Sequence, residues 1–415
     1  MSIRRRTWTT AKGVEKTAWI CDYTDIQGKR RLKTFRLKKN ADTFAATAKI
    51  EVRDGTHVAD SASATVKEAG ELWIKAAGRR VERGTLVQYQ QHLDLHIAPF
   101  LGTTLLSRLT VPAVRDFEDK LVDEGRSPAM VRKVVVSLGS LLADAQERGL
   151  VIRNAVREKS RARQKGRDRR QEKRQKGKLK VGTDIPTRDE VKAIVGALEG
   201  RWRPLLLTAI FTGLRASELR GLRWKDVELE KREIHVHQRA DRFNDIGKPK
   251  SEAGERTVPT PPIVINALKE WRLACPRPRT GEQDADGNPL VEEMRPEQLV
   301  FPNGQGKVES LSNIMQRGFL PVQVKAGVSV DTGDKDKKGR PIMAAKYTGI
   351  HSLRHFYASW LINRKEDGGL GLPPKTVQER LGHSTIALTM DTYSHLFPRN
   401  DDADELSAAE KALLG

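Results

Sequence analysis

The sequence predicts a multi-domain, mainly α protein with a small β-rich module at its N-terminus and a small antiparallel sheet inside its largest domain. Three observations carry this. The 415 residues exceed one ordinary domain. Apolar residues recur at three- and four-residue spacing over most of 60–156 and 185–398. A cation-dense stretch separates those two blocks. The expected parts are therefore a β-sheet-plus-helix module over 1–58, an all-α domain over 60–156, a basic linker over 157–184, a mixed, mostly α domain over 185–398 and a tail over 399–415.

In the first part, Ala18 to Tyr23 alternates and places Trp19, Cys21 and Tyr23 on one strand face. Asp25 to Lys29 supplies turn chemistry, Arg31 to Leu37 reads as the returning strand, and a helix is expected from Asn40 to Val52. Basic residues interleave with this hairpin: Arg4, Arg5, Arg6, Lys29, Arg30, Arg31 and Lys33. They are either a solvated face or a sheet laid into a DNA groove, and the overall charge favours the groove.

Four helices are expected next. Thr65 opens the first, with Val66, Ala69, Leu72, Trp73 and Ala76 on one stripe. Thr85 to His96 carries Leu86, Tyr89, Leu93 and Ile97 at helical spacing. Val111-Pro112 begins the third, with Val114, Phe117, Leu121 and Val122 inward. Ser127-Pro128 caps the fourth, which runs to Arg148 and stops at Gly149. His92 and His96 lack a third metal ligand and read as helix-surface residues. Residues 157–180 then hold thirteen Lys/Arg against three Asp/Glu, with no apolar residue between Ala162 and Leu179. Such a block is expected to bury nothing, and Arg163, Lys165, Arg167, Arg169 and Arg170 suit a tether crossing a polyanion.

The largest part begins with a capping box, Thr187 and Glu190. A short sheet is expected at Glu233–His237 and Arg256–Pro259, and surface loops near 277–295 and 331–340. The tail is acidic and then amphipathic through Leu406, Ala409 and Leu413.

Composition narrows the function. A formal net charge of +21 favours a nucleic-acid partner. No run reaches the ~18–20 apolar residues of a spanning helix. The start lacks a signal-like apolar core, and Cys21 and Cys275 form neither a metal spacing nor a disulfide framework, so a cytoplasmic, nucleoid-associated setting is expected. No cofactor and no metal is expected.

Within 185–398 a set of groups could surround a phosphate. Arg215 follows the break Thr212-Gly213 between two apolar helices. There it needs an anion, either Glu218 or a phosphate. Lys250, at a hairpin tip, is either solvated or able to swing onto a phosphate as a proton donor. His351 and Arg354 share the first turn of a helix, whose N-terminus favours an anion. His383 lies in an elbow after Gly382, and Tyr393 lies in the following helix. A tyrosine there ordinarily packs; as a nucleophile it needs a phosphorus held in line, cations around it and a base for its proton.

Thr212-Gly213-Leu214-Arg215-Ala216-Ser217-Glu218-Leu219, His351-Ser352-Leu353-Arg354-His355, Leu381-Gly382-His383-Ser384 and Thr392-Tyr393, in that order, resemble the signature blocks of the tyrosine recombinase (phage integrase) family, of the prophage or genomic-island type. The resemblance implies that 185–398 is a catalytic domain, 60–156 a core-binding domain and 1–58 an arm-site DNA-binding module. It implies that Arg215 and Arg354 clamp the scissile phosphate, His383 adds a hydrogen bond, His351 accepts the tyrosine proton, Lys250 protonates the leaving 5′-oxygen and Tyr393 becomes linked to the DNA 3′-phosphate. Glu218 resembles the structural acid beneath the first arginine. Lys248 is the alternative to Lys250, which a hydroxyl residue follows as the family pattern has it. The implied partners are double-stranded DNA at core and arm sites, three further copies in a homo-tetramer that receives the tail in trans, a DNA-bending protein and a directionality factor. Two other readings fit the same residues: a type IB topoisomerase-like relaxase, and a DNA-binding architectural or regulatory protein without catalysis. The separate N-terminal module argues against the first and the intact set of six against the second.

Overall fold

Alternation in residues 15–24 builds the central strand of a three-stranded antiparallel sheet. In the computed structural model its order is β1 (Ser2–Thr9), β2 (Glu15–Thr24), β3 (Arg30–Phe35), with Cys21 opposite Ile3 and Lys33. The structure describes all residues except 12, 27, 56–58, 60–62, 165–177, 278, 284–288, 292, 398–406, 408–409 and 415. The chain divides into two units, Met1–Lys176 and Gly177–Gly415.

In the first unit, helix Lys38–Arg53 covers the sheet face that carries Trp19, Cys21 and Tyr23. Phe44 of the helix packs on Tyr23 and Phe35, with ring centroids 5.6 and 5.3 Å apart. A helical core follows. Thr65 caps helix Val66–Ala77 through a reciprocal capping box with Glu68, and Ser127 caps helix Pro128–Glu147. Trp73, Phe117, Leu121, Leu138 and Leu141 are fully buried in this core.

Four expectations need correction here. Val122 points to solvent, because it sits one residue past Leu121 and turns about 100° off the buried stripe. Leu72 is likewise exposed. His92 and His96 are buried rather than superficial: they fall beside Leu93 and Ile97 on the stripe that begins at Tyr89, in helix Arg83–His92 and the π-helical segment Leu93–Ile97 that continues it, and His92 Nδ1 lies 2.8 Å from the Ser137 hydroxyl. The basic block also buries one residue after all. Lys159, in helix Ala155–Gln164, is enclosed because Glu118 pairs with it.

In the second unit, helix Arg188–Ala197 starts at the Thr187–Glu190 capping box. Helices Trp202–Thr212, Pro262–Ala274 and His351–Ile362 enclose one core with the small sheet Val227–Glu228, Glu233–Val236 and Arg256–Pro259. The two expected surface loops are instead β-hairpins, Arg279–Gln283 with Pro289–Val291 and Ser329–Lys335 with Pro341–Ala345. Polar side chains stabilise the second turn locally: Asp336 accepts from the backbone amides of Lys338 and Arg340. Among the described residues, no helix is long and apolar enough to cross a membrane.

Candidate active site

Helix Trp202–Thr212 ends on Gly213, which has φ +60°. Only glycine fits, because a Cβ there would lie 2.3 Å from the Tyr357 ring. The turn hands the chain to Arg215, the cap of helix Ala216–Gly221. Glu218 reaches back to accept from the Arg215 amide at 2.9 Å and from its guanidinium at 2.6 Å. Glu218 is fully enclosed and holds a second arginine as well: Arg256 donates to both of its oxygens, at 3.2 and 2.9 Å. Burial alone would raise the Glu218 pKa, but Arg256 and Arg215 overcome it and hold the group at about 2.

The C-terminus of helix Pro374–Leu381 gathers the cations. Three successive carbonyls there each accept from a different guanidinium. Arg380 O takes Arg256 Nε at 2.8 Å, Leu381 O takes Arg354 Nη2, and Gly382 O takes Arg215 Nη2 at 3.0 Å. The last carbonyls of a helix lack intrahelical partners and carry the negative end of its dipole, so they suit cations. Gly382 closes the helix at φ +63°, and a Cβ would sit 2.7 Å from Ala253 O. Arg354 is buried, and Nη1 donates to Gly213 O at 2.6 Å. Its two carbonyl contacts bring no negative charge, and burial followed by repulsion from Arg215 and Arg256 lowers its pKa to about 9.

The same field keeps the imidazoles neutral. Burial, then Arg354, Arg215 and Arg256, depress His383 to about 3. Its Nδ1 lies 2.9 Å from the Thr389 hydroxyl, so Nε2 is the ring nitrogen outside that contact. His351 keeps an exposed surface and is also lowered, by desolvation and then by His355, Arg354 and Arg215. Tyr393 is fully buried at the end of helix Ile386–Tyr393, its ring parallel to His383 with centroids 6.3 Å apart. Burial raises the phenol to about 12, against the pull of Arg354 and Arg215. Its hydroxyl lies 2.7 Å from His355 Nδ1. Among the described residues, no group of three or more His, Cys, Asp or Glu side chains is placed to hold a metal ion.

Arg215 and Arg256 share one carboxylate and Arg354 has none, which leaves two surplus positive charges beside a phenol and suits an anion with a phosphorus to attack. Residues 186–399, just over half of the sequence, match the profile described as phage integrase family. The chain belongs to the phage integrase family. Residues 65–122 of the integrase match the phage integrase N-terminal SAM-like domain. The integrase is 27% identical over 394 residues to the tyrosine recombinase XerC-like protein of Caldanaerobacter subterraneus subsp. tengcongensis, with 90% of each chain covered. It is 23% identical over 351 residues to the prophage integrase IntR of Escherichia coli, covering 79% of this chain and 75% of that one. Its fold is that of the Tn1549 transposon integrase solved with a circular intermediate DNA (TM-score 0.60, 19% identity, 84% of this chain and 100% of that one). It is also that of the lambda integrase dimer bound to a COC′ core site (TM-score 0.51, 18% identity, 95% and 97%). The integrase is thus a tyrosine-type site-specific recombinase.

Of the residues singled out in the sequence, Arg215, Glu218, His351, Arg354, His383 and Tyr393 come together. Lys250 and Lys248 lie on the exposed stretch between strand Ile246–Gly247 and the turn Glu252–Gly254. Two members of the integrase site were missed. Arg256 shares strand parity with buried Val258, and a charge at an inward strand position was the available signal. His355 follows His351 by one helical turn, and it rather than His351 makes the hydrogen bond to the phenol. In the N-terminal sheet the expected DNA contacts split by parity. Arg4, Arg6 and Arg30 share the face turned away from helix Lys38–Arg53, where Asp22 pairs with Arg30 and lies 3.9 Å from Arg4. Arg5, Arg31 and Lys33 lie on the helix-covered face, Arg31 paired with Asp25 and Lys33 over the Phe44 ring at 4.4 Å. Lys29 is exposed in the turn. Arg163 lies in helix Ala155–Gln164, whereas Lys165, Arg167, Arg169 and Arg170 lie outside the described residues.

Proposed function

We propose that this integrase cleaves and rejoins duplex DNA through a covalent link between Tyr393 and a DNA 3′-phosphate, and so integrates or excises a prophage or genomic island. One observation carries the reading: a buried phenol lies within electrostatic reach of Arg354 and Arg215, in a cluster where Arg215 and Arg256 share one carboxylate and Arg354 has none. The two surplus charges match the charge that a phosphodiester acquires in its pentavalent state. Arg215 and Arg354 hold the non-bridging oxygens and His383 Nε2 donates to one of them. Tyr393 Oη attacks phosphorus while the 5′-oxygen leaves with a proton from Lys250, and the phenolic proton passes to a histidine of helix His351–Ile362. The phosphotyrosine conserves the bond energy, so the reverse attack reseals the strand.

The parts take roles on this reading. Residues 1–58 bind arm-type sites, with Arg4, Arg6 and Arg30 on the sheet face turned away from the helix. Residues 60–156 and 185–398 bind and cut the core site, a reading supported by the fold they share with a lambda integrase dimer bound to a core site and a Tn1549 integrase in complex with a circular intermediate DNA, and the linker 157–184 joins them along the backbone. Residues 399–415 dock on a neighbour within a tetramer; of the amphipathic stripe, Leu413 is exposed, and Leu406 and Ala409 lie outside the described residues. A bending protein, a directionality factor and a cytoplasmic, nucleoid location belong to the same proposal.

A plasmid carrying two cognate attachment sites tests the function. Recombinant junctions are expected in the presence of the protein. Relaxation of supercoils without junctions would assign a topoisomerase, and binding with neither product would remove catalysis.

A further inference from the structure

We propose that His355, rather than His351, takes the proton from Tyr393 as its oxygen attacks DNA. This rests on Tyr393 being the nucleophile. His355 Nδ1 is already 2.7 Å from the phenolic oxygen, within the reach a general base requires. Its ring meets the Tyr393 ring edge-on, with centroids 5.8 Å apart. His351 sits one turn earlier and farther toward solvent, and its ring packs edge-on against His355 at 4.7 Å.

The charged groups around His355 set its protonation. Burial lowers its pKa, Arg354 on the same helix lowers it further, and Asp184, from the segment before helix Arg188–Ala197, pulls it back up. On this proposal the phenol donates to Nδ1, so a neutral His355 offers its lone pair there and carries its own proton on Nε2. The phenol, pushed up to about 12, keeps its own proton in the absence of DNA. Arrival of a phosphodiester between Arg215 and Arg354 adds negative charge beside His355 and makes it more basic. The base thus gains strength when substrate is bound. As the Oη–P bond forms, the O–H bond breaks and an N–H bond forms at Nδ1. The P–O5′ bond breaks with its electron pair going to O5′, which is protonated in turn. Religation returns the proton from Nδ1 to the phenol.

The test is single-turnover formation of the covalent adduct on a nicked suicide duplex, with duplex binding by each variant as the folding control. His355→Ala and His355→Asn are both expected to slow the adduct by about 10²–10⁴-fold. Asparagine can accept the phenolic hydrogen bond but cannot take the proton. Both variants should gain about tenfold in rate per pH unit, because hydroxide must now remove the proton, while the wild-type rate levels off. Imidazole should recover part of the His355→Ala loss. A wild-type rate in His355→Asn would reduce His355 to a holder of the phenol, and a rate in His355→Ala at or above wild type would overturn the proposal. An adduct in Tyr393→Phe would instead sink the nucleophile assignment, whatever His355 does.

Discussion

Arg354→Ala is expected to slow strand cleavage by about 10³–10⁵-fold while changing duplex affinity by less than about tenfold. Arg354 is buried, and its donors are held by Gly213 O and Leu381 O, the ends of two helices that the arginine ties together. A positive charge enclosed with Arg215 and Arg256, and depressed to about 9 by burial and by them, is held at a cost to the free protein. That cost is offset when negative charge develops on phosphorus, so the loss should fall on the rate. Arg354→Lys should fail nearly as badly, because one ammonium cannot span both carbonyls and a phosphate oxygen. Single-turnover cleavage and fluorescence anisotropy separate the two effects. Equal losses in both would make Arg354 only an anchor.

The second large effect concerns stability. Arg256→Met is expected to cost on the order of 3 kcal/mol, because it leaves Glu218 enclosed with Arg215 as its remaining guanidinium partner. Adding Glu218→Gln should recover part of that loss, since the charge needing neutralisation has gone. The pH dependence fixes the sign. Glu218 is depressed from 4.5 to about 2, so its contribution is complete above about pH 4.5 and is lost as the pH falls toward 2. The gap between wild type and Arg256→Met should therefore be widest near neutrality and close in acid. Urea midpoints at pH 7 and pH 3 measure it, and a gap independent of pH would show that Arg256 acts by packing alone.

Local signals made much of this legible in the sequence. Thr65–Glu68 and Thr187–Glu190 specify helix starts with their own side chains. Gly213 and Gly382 mark turns because no other residue can adopt their backbone without collision. The order of the arginine, histidine and tyrosine blocks carried the chemistry. What stayed hidden depends on contacts distant in sequence. Arg256 reads as a polar strand residue until Glu218, 38 positions away, is seen beneath it. His355 reads as the outer neighbour of Arg354 until helix Ile386–Tyr393 brings the phenol to it. The burial of His92 and His96 follows from their place beside Leu93 and Ile97 on one helical stripe, a spacing that their polarity masked. The division of Arg4, Arg5 and Arg6 between two faces is plain from strand period, but which face lies open is decided by where Phe44 packs.

The most direct measurement is to trap the protein on a nicked suicide duplex, digest it and locate the nucleotide-bearing peptide by mass spectrometry. A single modified peptide is expected, with the DNA 3′-phosphate on Tyr393 and no adduct in Tyr393→Phe. A phosphate carried by any other side chain, or an adduct that survives the phenylalanine substitution, would contradict it.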